Sequence, residues 1–211
     1  ATKVMGNTAS GINYGLIGAI TAEESAILVI DSADVQSDGN IVIEPRTNYT
    51  IGRFEVPMIN DISRVGLMVT DVSRKNNPGA TVAGIDWTLG FYDNKLFTNG
   101  QVVRSDNNNI TGNAVRFNLG YMDPLWWSAR FWYGHYDDEF DVNDLGYLRR
   151  NDMNWVGGRV EFRKQEPWGK FIYNDLEFKY MQEWHGDGLV LERELEIEQS
   201  NLFTNYWRAG F

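Results

Sequence analysis

Apolar and polar residues alternate with a period of two along most of the chain. From Val115 to Tyr121 the odd positions are apolar and the even positions are Arg, Asn and Gly. Segments 83–91 and 175–180 alternate in the same way. Because neighbouring side chains of a strand point to opposite faces of its sheet, this pattern predicts strands with one apolar and one polar face.

The same alternation, punctuated by turn residues, predicts eleven main strands along the chain. They are 1–6, 12–20, 48–59, 64–73, 81–92, 96–106, 113–122, 126–136, 154–164, 170–184 and 189–207. Two short apolar runs within 26–44 flank Ser37-Asp38-Gly39-Asn40 and predict an extra small hairpin. Strands of soluble proteins typically have about five or six residues, whereas strands of a tilted membrane barrel need about 9–11. Most of the predicted strands have the greater length.

The predicted connections between these strands alternate between short and long for most of the chain. Connections 21–47 and 137–153 are the longest, and 74–80 and 107–112 also exceed their neighbours. Up-and-down membrane barrels show this asymmetry between short periplasmic turns and longer outside loops. We therefore predict an all-β antiparallel up-and-down meander that forms an outer-membrane-type β-barrel, as a single domain over residues 1–211.

Tryptophans concentrate near the ends of the predicted strands. They are Trp126, Trp127, Trp155, Trp168 and Trp184. Amphipathic rings at strand ends are typical of barrels at the membrane–water interfaces. We predict all five as interface aromatics, and the alternative is that they cap the core of a soluble sheet.

Carboxylates recur on the polar face of the last two long strands. They are Asp175, Glu177, Glu192, Glu194, Glu196 and Glu198. Carboxylates in this number would be costly in a dry core. We predict that they face a wet lumen, although an open sheet face in bulk solvent would give the same pattern.

Composition narrows the functional classes. The chain of 211 residues has a net charge of -10 and no cysteine. Nucleic acid is excluded as a partner because phosphate binding needs a basic face. Without cysteine, disulfides and thiolate metal sites are excluded. The longest plain apolar run, 26–30, is far shorter than the ~20 residues of a transmembrane helix.

Candidate metal and catalytic residues lack a supporting spacing. His135 and His185 lie beside acidic residues, but no paired-histidine spacing is present. The segment 34–39 resembles a calcium loop, yet Gln36 and Pro45 occupy ligand positions. Neither a nucleophile elbow nor a phosphate loop nor a dinucleotide fingerprint occurs. We predict no enzymatic activity, no metal and no cofactor.

The segment 140–155 interrupts the alternation with polar residues around an apolar kernel. The kernel, 145–148, contains Tyr147 and is followed by Arg149 and Arg150. We predict a loop folded back into the lumen, where either arginine pairs with an inward carboxylate of the strand 170–184. The carboxylates meant are Asp175 and Glu177. The alternative is a loop that remains outside the barrel.

The stretch NDLGYLRRNDMNWVGGRVEFR, residues 143–163, resembles the Asn-Pro-x-x-Gly-aromatic-aliphatic-Arg-Arg segment of a family of uncharacterised bacterial outer-membrane β-barrels. Asp144 stands where the pattern has proline. NYTIGRFEVPM, SRVGLMVTDVSR and AGIDWTLGFYDN are similar to other strands of that family. In it, the barrel usually follows a domain similar to family-9 carbohydrate-binding modules. The resemblance implies a bacterial outer-membrane location, contact with lipid, a glycan or other small solute, and an envelope partner protein.

The resembling barrels are longer than this chain, and single-chain barrels usually have an even number of strands. We therefore expect residues 1–211 to be a partial barrel of about 10–12 strands from a larger barrel. The predicted function is non-enzymatic passage or docking of a solute. The alternatives are a soluble β-rich carbohydrate-binding module and a barrel that serves as a membrane anchor or assembly component.

Overall fold

The computed structural model describes residues 1–32 and 35–211, with side chains for 1–26 and 41–211. The described strands are β1 (Thr2–Asn7), β2 (Asn13–Thr21), β3 (Glu24–Ser32), β4 (Val35–Glu44), β5 (Thr47–Pro57), β6 (Arg64–Arg74), β7 (Asn77–Phe91), β8 (Leu96–Asn107), β9 (Ile110–Met122), β10 (Trp127–Tyr136), β11 (Met153–Lys164), β12 (Phe171–His185), β13 (Val190–Phe203) and β14 (Arg208–Gly210). No helix in this part of the chain has the length and hydropathy to cross a bilayer.

Twelve of the strands form one antiparallel sheet in the order β1-β2-β5-β6-β7-β8-β9-β10-β11-β12-β13-β14. The other two, β3 and β4, form a separate hairpin inside the connection from β2 to β5, where an extra hairpin is predicted. The prediction of an all-β antiparallel meander of about 10–12 strands is confirmed. Among the described residues, β1 pairs only with β2 and β14 only with β13, so the two edges of the sheet do not pair with each other.

Two long connections leave the same end of the sheet. They are 22–46, between β2 and β5, and 137–152, between β10 and β11. The prediction of longer connections at 74–80 and 107–112 is wrong, because two-residue turns join β6 to β7 and β8 to β9. In the second turn Asn108 and Asn109 have φ values of 55° and 65°. This left-handed backbone matches the twist of a hairpin, so the strands continue up to the turn.

The final predicted strand, 189–207, is also shorter than expected. It ends at Phe203, and the turn 204–207 leads into β14. Tyr206 in this turn has a φ of 65°, which interrupts the extended backbone.

The register of the ladder gives the sheet two chemically different faces. Residues directly opposite each other in adjacent strands share a face. The face that we call the apolar face includes Leu16, Phe54, Leu67, Ile85, Val102, Phe117, Leu119, Phe131, Val160, Phe178 and Ile197. The face that we call the polar face includes Arg53, Asp86, Gln101, Arg116, Trp132, Arg159, Glu177, Lys179 and Glu196.

Burial is reversed relative to a soluble sheet. The apolar face is uncovered: Leu16 is 54% exposed and Ile85 53%. The buried apolar strand residues Val72, Ala80 and Ala114 belong instead to the polar face, near the end with the two long connections. The described apolar face therefore has no protein layer of its own, and the packed region lies on the other side.

Glycines opposite aromatic residues make the strand ladder interlock. The directly opposed pairs are Gly6–Tyr14, Trp87–Gly100, Phe97–Gly120, Trp132–Gly157 and Gly134–Trp155. In each pair a Cβ on the glycine would overlap the aromatic side chain, so the ring lies over the glycine backbone. Aromatic rings placed in this way cover glycines that would otherwise weaken a strand.

Gly134→Val should therefore lower the free energy of unfolding by about 1–3 kcal/mol, because the Trp155 ring must leave its place over Gly134. The midpoint of urea unfolding measures the loss. Gly52→Val is the matched control, since a Cβ there meets no atom within 4 Å. Trp155→Ala in the Gly134→Val background should restore part of the stability. Equal effects of the two glycine substitutions would contradict the interlock.

Candidate functional site

Residues 137–152, which we call the covering loop, lie across one end of the polar face. Phe140 anchors this loop and is only 4% exposed. Its ring stacks on Tyr136 with a centroid distance of 5.5 Å. Its backbone lies against Gly112, where any Cβ would collide with it. The absence of a side chain at Gly112 is therefore what lets the loop approach the sheet.

Polar contacts attach the covering loop to strands that are distant in sequence. The backbone N–H of Asp141 donates to Ser105 Oγ at 3.1 Å. Asn107 Nδ2 donates to Asp141 Oδ2 at 3.3 Å and to Asp144 Oδ2 at 3.4 Å. Asp144 also forms an ion pair with Arg74. Asp144, which replaces the proline of the resembled pattern, is thus one of the attachment points.

Hydrogen bonds within the covering loop fix its shape. Asp141 Oδ1 accepts from the backbone N–H and from Nδ2 of Asn143, at 2.9 and 2.7 Å. Asn143 Oδ1 in turn accepts from the backbone N–H of Leu148 at 2.9 Å. At the base, the N–H of Asp152 donates to the carbonyl of Asp137 at 3.1 Å. The loop is therefore an ordered cover.

These contacts favour the charged form of Asp141. The backbone N–H of Asn143 is the main cause that lowers the pKa of the Asp141 carboxyl below its ordinary value. Partial desolvation opposes this effect, and the side chains of Asn143 and Asn107 add to the lowering. Because the folded pKa is lowered, Asp141 stabilises the docked loop at pH values above the ordinary aspartate pKa. That contribution is lost as the pH falls through the lower folded value.

Acid should therefore loosen the covering loop between about pH 5 and pH 2. The chain has no cysteine, so Tyr147→Cys provides a single position for an environment-sensitive dye. We expect the dye signal to change over this range in the otherwise native protein. The change should be smaller in Asp141→Asn, which removes the titrating group and leaves Asp144 as it is. An identical acid transition in both proteins would contradict the role of Asp141.

A cleft of about 680 Å³ separates the covering loop from strands β11–β13. Its wall includes Tyr147, Arg149 and Arg150 from the loop, and Trp155 and Glu192 from the strands. The structure thus brings together four of the residues predicted from the sequence as lumen candidates: Tyr147, Arg149, Arg150 and Glu192. Tyr147 is 84% exposed, so the apolar kernel of the loop is not the part that is buried.

The predicted pairing of Arg149 or Arg150 with Asp175 or Glu177 is wrong. Asp175 pairs with Arg163 at 3.3 Å, and Glu177 pairs with Arg159 at 3.4 Å. The reason is position along the strand. Arg163 is opposite Asp175, whereas the loop joins β11 at Met153, opposite His185. Ten residues of strand separate the two levels by about 33 Å.

Other charges of the polar face also form ion pairs. Glu194 accepts from Lys179 Nζ at 3.1 Å, and Glu196 accepts from the same group at 2.9 Å. Arg53 Nη2 donates to Asp86 Oδ1 at 2.8 Å on the same face, in strands nearer the β1 edge of the sheet. Partly exposed pairs of this kind add little stability.

A family model described as "Domain of unknown function (DUF5916)" matches residues 1–211. The chain belongs to this family. The matched range includes the covering loop and both walls of the cleft, so all of these elements are parts of the DUF5916 domain. No curated protein and no solved structure matches the chain.

The predicted interface tryptophans occupy three kinds of position in the DUF5916 domain. Trp126, Trp127 and Trp168 lie at the end with the short connections, and Trp126 stacks on Phe162 at 6.2 Å. Trp184 lies near the opposite end, across from Val190. Trp155 does not fit the prediction of an interface aromatic, because it is on the polar face over Gly134 and contacts Tyr136 edge-on at 5.0 Å.

Both histidines of the DUF5916 domain have hydrogen-bonding partners. His135 Nδ1 is 2.7 Å from Asn154 Oδ1, and His185 Nδ1 is 3.2 Å from Asp152 Oδ2. Among the described residues, no three His, Cys, Asp or Glu side chains are arranged to hold a metal ion. The calcium-like segment 34–39 lies outside the residues whose side chains the structure describes.

Several important residues were missed by sequence reasoning. Phe140, Ser105, Asn107 and Arg74 hold the covering loop in place. One sequence signal could have indicated where the loop docks. Small residues, including Gly112, occupy positions that are neighbours on the polar face of the folded sheet. Small side chains at adjacent positions indicate a close approach of another segment, but only the register makes the positions adjacent.

Proposed function

We propose that this chain is the membrane-spanning β-barrel domain, or a large part of it, of a bacterial outer-membrane protein. The domain is non-enzymatic, and its polar face lines a hydrated path for the passage or docking of a small solute. Lipid is the partner of the apolar face, and an envelope protein is a further candidate partner. The exposed apolar face of the sheet is the observation that carries this proposal.

The extent of the apolar face supports a lipid environment. Exposed large apolar side chains continue from Leu16 in β2 to Ile197 in β13, across the whole width of the sheet. Monomeric soluble proteins rarely expose an apolar patch larger than a few hundred Å². In a bilayer the same face would contact hydrocarbon, and the ladder would satisfy the backbone polar groups.

The strand lengths support the same environment. Strands β5 to β13 have between 10 and 15 residues. Barrel strands need about 9–11 residues to cross the hydrocarbon at a tilt. Aromatic side chains at the short-connection end, such as Trp126 and Trp168, suit the headgroup boundary.

The polar face supports a water-filled interior. All the ion pairs between strand residues that the structure describes lie on this face, including Arg53–Asp86, Arg159–Glu177 and Lys179–Glu196. A dry interior would strongly disfavour such a density of charge. The covering loop crosses one end of this face and is positioned to restrict a path along it.

The test is to express the chain and recover it from membranes with detergent. We expect the folded protein to migrate differently on gels before and after heating, and to produce conductance in planar bilayers. The proposal fails if the protein remains soluble without detergent and shows no heat-dependent mobility. Heat-dependent mobility without conductance would favour the anchor role, for which the covering loop across the polar face is the supporting observation.

A further inference from the structure

The cleft beside the covering loop brings together three kinds of recognition group. Arg149 and Arg150 supply positive charge, Trp155 and the exposed Tyr147 supply aromatic surface, and Glu192 supplies hydrogen-bond acceptors. The cleft volume of about 680 Å³ is large enough for a monosaccharide or disaccharide.

The two arginines differ from several other cations of the polar face in having no carboxylate partner among the described residues. Other polar-face cations, such as Arg53, Arg159 and Arg163, are each within ion-pair distance of a carboxylate. In the part of the chain that the structure describes, neither Arg149 nor Arg150 forms an ion pair, and both are exposed. Each guanidinium group presents a planar fork of donors that matches a carboxylate or a phosphate.

The wall of the cleft opposite the arginines carries carboxylates. Glu183 and Glu192 are opposite each other in β12 and β13, and both line the cleft. A simple inorganic anion would be repelled by these carboxylates. Hydroxyl groups would donate to them, so a solute that carries both an anionic group and hydroxyls satisfies both walls.

The aromatic residues provide the third requirement. Trp155 is held by Gly134 beneath it and by Tyr136 at its edge, so its orientation is fixed. Tyr147 stands in the loop above with most of its surface free. Fixed rings offer apolar faces that suit the C–H face of a sugar ring, at little cost in conformational entropy.

We propose that this cleft binds an acidic sugar, a hydroxylated ring with one carboxylate or phosphate group. The anionic group lies on Arg149 and Arg150, the hydroxyls donate to Glu183 and Glu192, and the ring packs against Tyr147 or Trp155. This inference rests on the proposed function, because it names the class of solute that meets the polar face at the covering loop.

Titration calorimetry of the detergent-solubilised protein tests the inference with glucuronate, glucose 6-phosphate and glucose. We expect saturable binding of at least one of the two acidic sugars and at least tenfold weaker binding of glucose. The two acidic sugars separate carboxylate from phosphate recognition. Equal binding of all three sugars, or no binding of either acidic sugar, would overturn the proposal.

Single substitutions then locate the site. Arg149→Ala and Arg150→Ala should each weaken binding of the acidic sugar about tenfold or more, as expected for the loss of a charge-assisted contact. Arg193→Ala is the matched control, because Arg193 follows Glu192 in β13 but hydrogen-bonds to Gln182 on the other face. Unchanged binding in both loop variants, or an equal loss in the control, would place the sugar elsewhere.

The two proposals fail in distinguishable ways. A protein that inserts into membranes and conducts, but binds no acidic sugar, would overturn the cleft assignment alone. A protein that binds the sugar through Arg149 and Arg150, but never inserts, would overturn the barrel function and leave the cleft as the site of a sugar-binding module.

Discussion

Leu119→Arg should lower the stability of the proposed membrane-inserted domain by about 2–4 kcal/mol. Leu119 is on the apolar face of β9, directly opposite Phe131 of β10, and 39% of its surface is exposed. If this surface contacts hydrocarbon, a guanidinium group there loses its hydration without gaining a partner. Reversible urea unfolding in lipid vesicles measures the loss.

Asn118→Arg is the matched control for this prediction. Asn118 precedes Leu119 in the strand, faces the opposite side, and donates to Asn99 Oδ1 at 3.0 Å. An arginine there would lie on the polar face that already carries Arg116, so we expect a small change in stability. If the two substitutions have equal effects, the apolar face does not contact lipid and the barrel function is rejected.

The period-two pattern was sufficient to predict the strands because each strand has two faces in different surroundings. In β9 the alternation of apolar residues with Arg116 and Asn118 continues without interruption. Such a strand cannot shift by one residue without moving polar groups to the apolar face. The neighbour order followed from the short connections, since consecutive strands joined by short turns usually pair.

The connections were predicted less well, for a conformational reason. Segment 107–112 has the composition of a loop, and we predicted a longer connection there. In the structure Asn108 and Asn109 take left-handed backbone conformations and close a two-residue turn. Asparagine is compatible with both a loop and such a turn, so composition did not distinguish them.

The arrangement of the covering loop could not be predicted from local pattern. Asp141 is 36 residues from Ser105, its hydrogen-bonding partner, and Asp144 is 70 residues from Arg74. Charge matching alone suggested Asp175 as a partner for the loop arginines, but Asp175 lies at the wrong level of the strand. The position along the strand and the register across several strands decide these contacts, and neither is visible in a single segment.

Phe140→Ala should release the covering loop and increase conductance through the barrel. Truncation of a buried phenylalanine typically costs about 3–5 kcal/mol. We expect this loss to weaken the docking of the loop rather than the folding of the sheet. The Phe140 ring packs on Tyr136, whereas the hydrogen-bonded ladder of β9, β10 and β11 does not depend on it. Single-channel recordings measure the conductance, and limited trypsin digestion at Arg149 and Arg150 measures the freedom of the loop.

Tyr147→Ala is the control for this experiment, since it removes an aromatic ring from the same loop at a site that is 84% exposed. Conductance and trypsin sensitivity should stay close to those of the native protein. Heat-dependent gel mobility shows whether each variant still forms a barrel. A Phe140→Ala barrel with native conductance and native digestion would mean that the polar contacts alone hold the loop.

Phe140→Ala also tests whether the covering loop controls solute binding as well as access to the polar face. Phe140 stacks on Tyr136, and Tyr136 contacts Trp155 edge-on. A chain of aromatic contacts therefore connects the loop anchor to the wall of the cleft. Release of Phe140 should therefore weaken acidic-sugar binding as well as raise conductance, because Tyr147, Arg149 and Arg150 would no longer be held opposite Trp155. A rise in conductance with unchanged sugar affinity would show that the cleft does not depend on the docked loop. A rise in conductance together with weaker sugar binding would make the covering loop the element that links solute binding to access.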